Sequence, residues 1–102
     1  MDATQVHRIA KALADPRRLE ILEAIAVASE LSCGEIVEQF TVSQATISHH
    51  IKELVNANLA EVRREGQYCY YKMRPEVLSD YITELQRLVS IGTNKATSRD
   101  LV

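Results

Sequence analysis

Gln44, Thr46, Ser48, His49 and Lys52 crowd five polar side chains into a short stretch, and each has the chemistry to meet a base edge or a phosphate. A glutamine amide can pair with adenine through two hydrogen bonds, hydroxyls donate or accept, and histidine and lysine reach base edges or phosphate oxygens. Ser43, immediately ahead, is of the type that caps a helix, and the positive end of a helix begun there favours an anion. Further along, on a stretch that also carries Lys72, Arg63 and Arg64 would add phosphate or minor-groove contacts, and Gln67 is a further candidate DNA contact. His50 stands beside an apolar stripe and reads as a packed, hydrogen-bonded histidine.

Catalytic chemistry finds less support. Cys33, the histidines and the hydroxyl residues show no spacing of nucleophile, base and orienting acid, and there is no glycine-rich phosphate loop. The expectation is a protein that is not an enzyme and carries no cofactor.

The polar cluster must be held by a scaffold, and apolar periodicity outlines one. Val6, Ile9, Ala10 and Leu13 repeat at helical spacing from near Thr4. Asp15-Pro16 ends that helix and starts a second, with Asp15 as cap and Pro16 in the first position. Leu19, Leu22, Ile25 and Ala26 give it an apolar face widened by Ile21, with Arg17 and Arg18 outward, and it fades near Ser29. Ser32 and Glu35 form a capping box, with Leu31 and Ile36 as staple, for a short third helix ending at Thr41-Val42. Ile47, Ile51, Leu54 and Val55 then define the inner face of a fourth helix, 44–57, whose other faces are polar.

From Leu59 to Met73 the period shortens to two. Ala60, Val62, Cys69, Tyr71 and Met73 alternate with polar residues, and Gly66 supplies a turn, so 60–73 reads as a hairpin with Cys69 inward. Pro75 opens a fifth helix with Leu78, Tyr81, Ile82, Leu85, Leu88 and Val89 apolar, closed by Gly92. Thr93–Val102 lacks periodicity and is expected to be a disordered tail, leaving one folded domain over residues 1–92. The whole is mainly α with a small β-hairpin. Its order, with a tight connection between the third and fourth helices, is that of a winged helix-turn-helix, whose second helix fits the major groove.

Composition agrees with a single domain of 102 residues, 46% apolar and 25% charged. The net charge of −2 hides an uneven distribution: −3 over residues 1–42, +2 over 43–74 and −1 over 75–102. A polyanion would therefore land on the middle segment, where the helix and the hairpin lie. No apolar run reaches the length of about 20 residues that spans a bilayer, and two cysteines without a leader suit a reducing compartment, the cytoplasm. A module that binds protein in place of DNA would favour acids along 44–57, where Glu53 is the one acid.

Three blocks carry a resemblance: Leu13-Ala14-Asp15-Pro16-Arg17-Arg18-Leu19-Glu20-Ile21-Leu22, Ser43-Gln44-Ala45-Thr46-Ile47-Ser48-His49-His50-Ile51-Lys52-Glu53-Leu54, and Gly66-Gln67 through Tyr70-Tyr71. Over about residues 5–91 the chain resembles the ArsR/SmtB bacterial transcription repressors. The resemblance implies a homodimer that binds an imperfect palindromic operator in double-stranded DNA and is released by an effector, which the sequence does not identify. It also implies pairing of the first and last helices across the dimer. The apolar stripe of the last helix, with Leu78, Ile82, Leu85, Leu88 and Val89, is independently too long for one small domain to cover, and the resemblance adds Val6 and Ile9 of the first helix as candidate interface residues.

Metal-sensing relatives place a Cys-x-Cys pair just after a Glu-Leu like Glu30-Leu31; here Ser32 and Gly34 stand there, with Cys33 between. The zinc positions of other relatives fall on Pro75, Val77, Leu88 and Ile91, none of them a ligand. No metal site is expected. Cys33 and Cys69 leave a thiol-based, redox-sensing repressor as an alternative, tested by thiol accessibility.

Overall fold

The computed structural model describes the backbone of residues 1–100 and the side chains of residues 1–94. Five helices and three short strands follow in the order α1 (Ala3–Leu13), α2 (Pro16–Ala28), β1 (Leu31–Ser32), α3 (Cys33–Gln39), α4 (Gln44–Asn56), β2 (Ala60–Glu65), β3 (Tyr68–Met73) and α5 (Pro75–Asp100).

Local chemistry sets these boundaries. Asp2 caps α1 through the Gln5 amide, Asp15 caps α2 through the Arg17 and Arg18 amides, and Ser43 caps α4 through the Thr46 amide. The expected box at α3 is complete: Ser32 Oγ accepts from the Glu35 amide at 3.1 Å, and the Glu35 carboxylate accepts from the Ser32 amide at 2.9 Å. Helix α4 ends in a Schellman arrangement, with Asn58 left-handed at φ 62° and the Leu59 and Asn58 amides donating back to Leu54 and Val55 carbonyls. That turn aims the chain directly into β2.

The core lies where α1, α2, α3 and α4 meet, filled by Ile9, Ile21, Ile25, Ile36, Ile47, Leu54 and Leu59, all fully buried. Ile9 therefore has no surface to offer a partner, and its expected place at an interface is corrected to the protomer's own interior. On α2 the buried face is Ile21, Leu22 and Ile25, while Leu19 is half-exposed and Ala26 exposed. Arg18, expected outward, lies part-buried between helices.

The hairpin is the larger part of a three-stranded antiparallel sheet in the order β1-β3-β2. Leu31 and Ser32 pair with Tyr71 and Tyr70, covering the free edge of β3. Two extended residues are too few to show a period, so nothing in the sequence marked them as a strand. The β2–β3 register ends at Glu65 opposite Tyr68, leaving Gly66 and Gln67 as a two-residue turn. Gly66 takes φ +61° at the first central position, as a II′ turn requires, and Gln67 does not share it.

Helix α5 does not stop at Gly92. It continues to Asp100, because Gly92 keeps ordinary helical backbone and a helix tolerates such a residue at a cost of about 1 kcal/mol. The tail expected to lack structure is thus helical as far as Asp100; Leu101 and Val102 lie outside the described residues. No helix among the described residues is long and apolar enough to cross a membrane.

Candidate nucleic-acid interface

Helix α4 is split cleanly between two environments. Ile47, His50, Ile51 and Leu54 are buried, whereas Gln44, Thr46, Ser48, His49 and Lys52 are exposed, as helical periodicity demands of this sequence. Gln44, Ser48 and Lys52, spaced by four, stand in one row along the outer face, and His49 stands beside them. Thr46 is less free than the others, since its hydroxyl shares a 2.9 Å hydrogen bond with Ser43 Oγ while its amide donates to the same oxygen. Both residues belong to the cap and stay exposed at the positive end of the helix.

His50 packs inward as expected. Its Nδ1 accepts from Arg18 Nε at 3.4 Å, and the same guanidinium donates through its NH1 group to the carbonyls of Lys11 and Ala12 at the end of α1. Gln5 ties α1 to the far end of α4 through a 2.8 Å hydrogen bond from Nε2 to the Ala57 carbonyl. The polar row is thereby mounted on a helix braced at its middle and its end.

The alternation of β2 divides the two wing arginines. Arg64 lines a groove of about 310 Å³ together with Ser48, Lys52 and Asn56 of α4 and with Val62 and Tyr71 of the sheet. Its NH1 group donates to Cys69 Sγ at 3.4 Å. Arg63 faces the other way, where it pairs with Glu30 at 3.0 Å and with Glu65, and its guanidinium lies 4.6 Å from the Tyr70 ring centre. The Glu30 carboxylate, then Glu65, holds the Arg63 charge more firmly than usual. Two carboxylates at one guanidinium leave little positive charge for a phosphate. Gln67 is exposed at the wing tip.

Sequence reasoning missed Asn56, which borders the same groove one row beyond Lys52, and the pair Arg8 and Lys11, which shares a depression with Glu53. The four-residue spacing 48, 52, 56 was the available signal for Asn56. Nothing in the linear sequence brings Arg8 to α4.

Away from these residues, Val6, Leu85 and Leu88 line an open, largely apolar trough of about 420 Å³ between α1 and α5. Ile82, Leu88 and Val89 are exposed by 49%, 58% and 61%, whereas Leu78 turns partly into the core. The stripe expected to need a partner thus divides, its first residue covered by the protomer and the rest open.

Soft-ion chemistry does not fit the start of α3. Ser32 Oγ is occupied in the cap, Gly34 has no side chain, and Cys33 alone cannot complete a site. Among the described residues no group of three or more histidine, cysteine, aspartate or glutamate side chains converges.

A short helix, a tight turn, an exposed polar helix and a β-wing beside it define a winged helix-turn-helix protein. The family of bacterial regulatory proteins described as arsR matches residues 15–62. The transcriptional repressor SdpR of Bacillus subtilis is 33% identical over 89 residues, 87% of this chain and 98% of that protein. The arsenical resistance operon repressor of Staphylococcus xylosus is 39% identical over 82% of this chain and 79% of its own. Among solved structures, the homodimeric winged helix-turn-helix DNA-binding domain Mb0332 of Mycobacterium bovis superposes with a TM-score of 0.68 at 33% identity, over 85% of this chain and 79% of that one. An ArsR-like regulator from Rhodococcus sp. RHA1 shares the fold at a TM-score of 0.85 and 21% identity, covering 93% of this chain and 89% of its own. The chain belongs to the ArsR family of bacterial transcriptional regulators.

Proposed function

We propose that this protein is a homodimeric, sequence-specific repressor that works in the cytoplasm and binds an imperfect palindromic operator, with α4 in the major groove and the wing on flanking DNA. The observation that carries the reading is the exposed row Gln44, Ser48, Lys52, of which Ser48 and Lys52 stand across one groove from Arg64. Gln44, Ser48 and His49 would read base edges. Ser43, Thr46 and Lys52 would hold phosphates at the start and side of the helix, and Arg64 and Gln67 would hold the flanking backbone. Arg63, paired with two carboxylates, shapes the wing and contributes less charge.

Dimerisation supplies the second half-site. Ile82, Leu85, Leu88 and Val89 of α5 with Val6 of α1 form an apolar surface that a second copy would cover, and a two-fold pair would place two α4 helices about 34 Å apart. The Mycobacterium bovis neighbour, homodimeric by description, supports the same arrangement here.

Selection of bound fragments from genomic DNA tests the reading. It should return a short palindromic sequence, and affinity for that sequence should fall steeply with salt as counterions are released. Recovery of fragments without a common sequence, with affinity indifferent to salt, would refute it.

A further inference from the structure

The β1–β3 ladder pairs Leu31 with Tyr71 and Ser32 with Tyr70, so Cys33 and Cys69 flank its last pair, one in each segment. Cys33 is the first residue of α3, immediately past β1, and Cys69 lies one residue beyond Tyr70 on β3. Cys69 falls on the face of Tyr71 by strand alternation, and Cys33, where the strand gives way to α3, is half-buried against the core on which Tyr71 also packs. Paired residues have Cα atoms about 4.5–5.5 Å apart, so cysteines one residue beyond such a pair lie near the span of about 4.4–6.8 Å that a disulfide bridges.

From this juxtaposition we propose that Cys33 and Cys69 form an oxidisable dithiol, which a hydroperoxide converts into a disulfide within one subunit.

The surroundings suit that chemistry. Both cysteines are free thiols and only half-buried, Cys69 on the face of Tyr71 and Met73, so its sulfur remains within reach of small solutes. Arg64 NH1 stands 3.4 Å from Cys69 Sγ, the kind of positive neighbour found at reactive thiols. Burial, then Cys69 and Cys33, push the Tyr71 phenol up to about 12.

The chemistry balances without a metal. The Cys69 thiolate attacks the hydroperoxide, its sulfur gaining an oxygen as the O–O bond breaks and an alcohol, or water, departs. Cys33 sulfur then attacks that sulfur: the S–S bond forms, the S–O bond breaks, and the departing hydroxide takes the Cys33 proton as water. Two thiols lose two hydrogens, and the peroxide is reduced. The product ties the first turn of α3 to the middle strand of the wing and draws Cys69 sulfur away from Arg64. The oxidation stands apart from the DNA reading; only its consequence for the groove rests on that reading.

The test treats the full-length, reduced protein with hydrogen peroxide. Intact mass should fall by two hydrogens, the protein should remain a single chain on a non-reducing gel, and peptide mapping should link the segments holding Cys33 and Cys69. Dithiothreitol should restore both thiols. The thermal midpoint should rise on oxidation of the native sequence and stay put in Cys33→Ser, because the bridge closes a long loop. A bond between subunits, oxygen added to one cysteine without a bridge, or two thiols still titratable after peroxide would each overturn the proposal. A bridge that forms while duplex affinity stays unchanged upholds the dithiol and counts against the DNA role of Arg64.

Discussion

Arg18 Nε on α2 donates to Nδ1 of His50, in the middle of α4, across 3.4 Å, and this contact decides which of the two adjacent histidines can face a ligand. With His50 only 7% exposed and its acceptor engaged, His49 alone is left outward. The same guanidinium closes the last turn of α1 through the Lys11 and Ala12 carbonyls, so one side chain joins three helices. Arg18→Ala removes all three hydrogen bonds and leaves a buried ring nitrogen without a donor. A loss of about 1–3 kcal/mol in urea unfolding is expected; an unchanged midpoint would show that water replaces the guanidinium freely.

Ser48 and His49 are exposed, and the one ring neighbour of His49 among the described residues is His50, 6.0 Å away between centres. Replacing both by alanine is therefore expected to leave the thermal midpoint within a degree or so while erasing the preference for operator over random duplex, each lost base contact being worth about 1–3 kcal/mol. Anisotropy titrations against both duplexes make the measurement. Retained preference in the folded variant would move sequence reading elsewhere.

The two wing arginines should behave differently despite being neighbours. Arg64→Ala is expected to weaken binding to all duplexes alike and to lower the salt slope by about one. Arg63→Ala removes a guanidinium already held by Glu30 and Glu65, so it should change the slope less and instead loosen the wing. Equal slopes for the two variants would mean that Arg63 abandons its carboxylates when DNA arrives.

Much of this arrangement was legible in the sequence because it rests on local signals. Asp15-Pro16, the Ser32–Glu35 box and Ser43 announced three helix starts, and the 47, 51, 54 spacing fixed which face of α4 looks outward. What stayed hidden depends on residues far apart in the chain. Arg18 looks like a surface arginine until α4 brings His50 beneath it, and Arg63 looks like a free cation until β3 and the start of β1 bring Tyr70 and Glu30 alongside. Ile9 shares a stripe with Val6, and only packing assigns one to the core and leaves the other beside an open trough. Gly92 was misleading for another reason: glycine stops a helix where a left-handed turn is needed, and none is made there.

Acid should loosen the helix starts first. The Arg18 backbone amide, followed by His50 and the Arg17 amide, holds Asp15 below the ordinary carboxyl range, and the Ser32 amide and hydroxyl do the same for Glu35. Carboxyls depressed in the folded state add stability above their unfolded values, near pH 4, and lose it as pH falls through the folded values. The thermal midpoint should therefore fall as pH drops below about 4. Asp15→Asn with Glu35→Gln, which keep an acceptor but do not titrate, should flatten that limb; a limb of unchanged steepness would assign it to other carboxylates.

The apolar trough between α1 and α5 gives the assembly its own test. Leu88 is 58% exposed, so Leu88→Glu should leave the protomer folded while placing a charge where a second copy would seat. Sedimentation equilibrium is expected to report single chains for the variant at concentrations where the native sequence is paired. Operator affinity should fall with it, since one α4 alone engages one half-site and forfeits the contacts of the other. A variant that stays dimeric would place the interface away from α5, and one that is monomeric yet binds the full palindrome undiminished would show that pairing on DNA does not need this face.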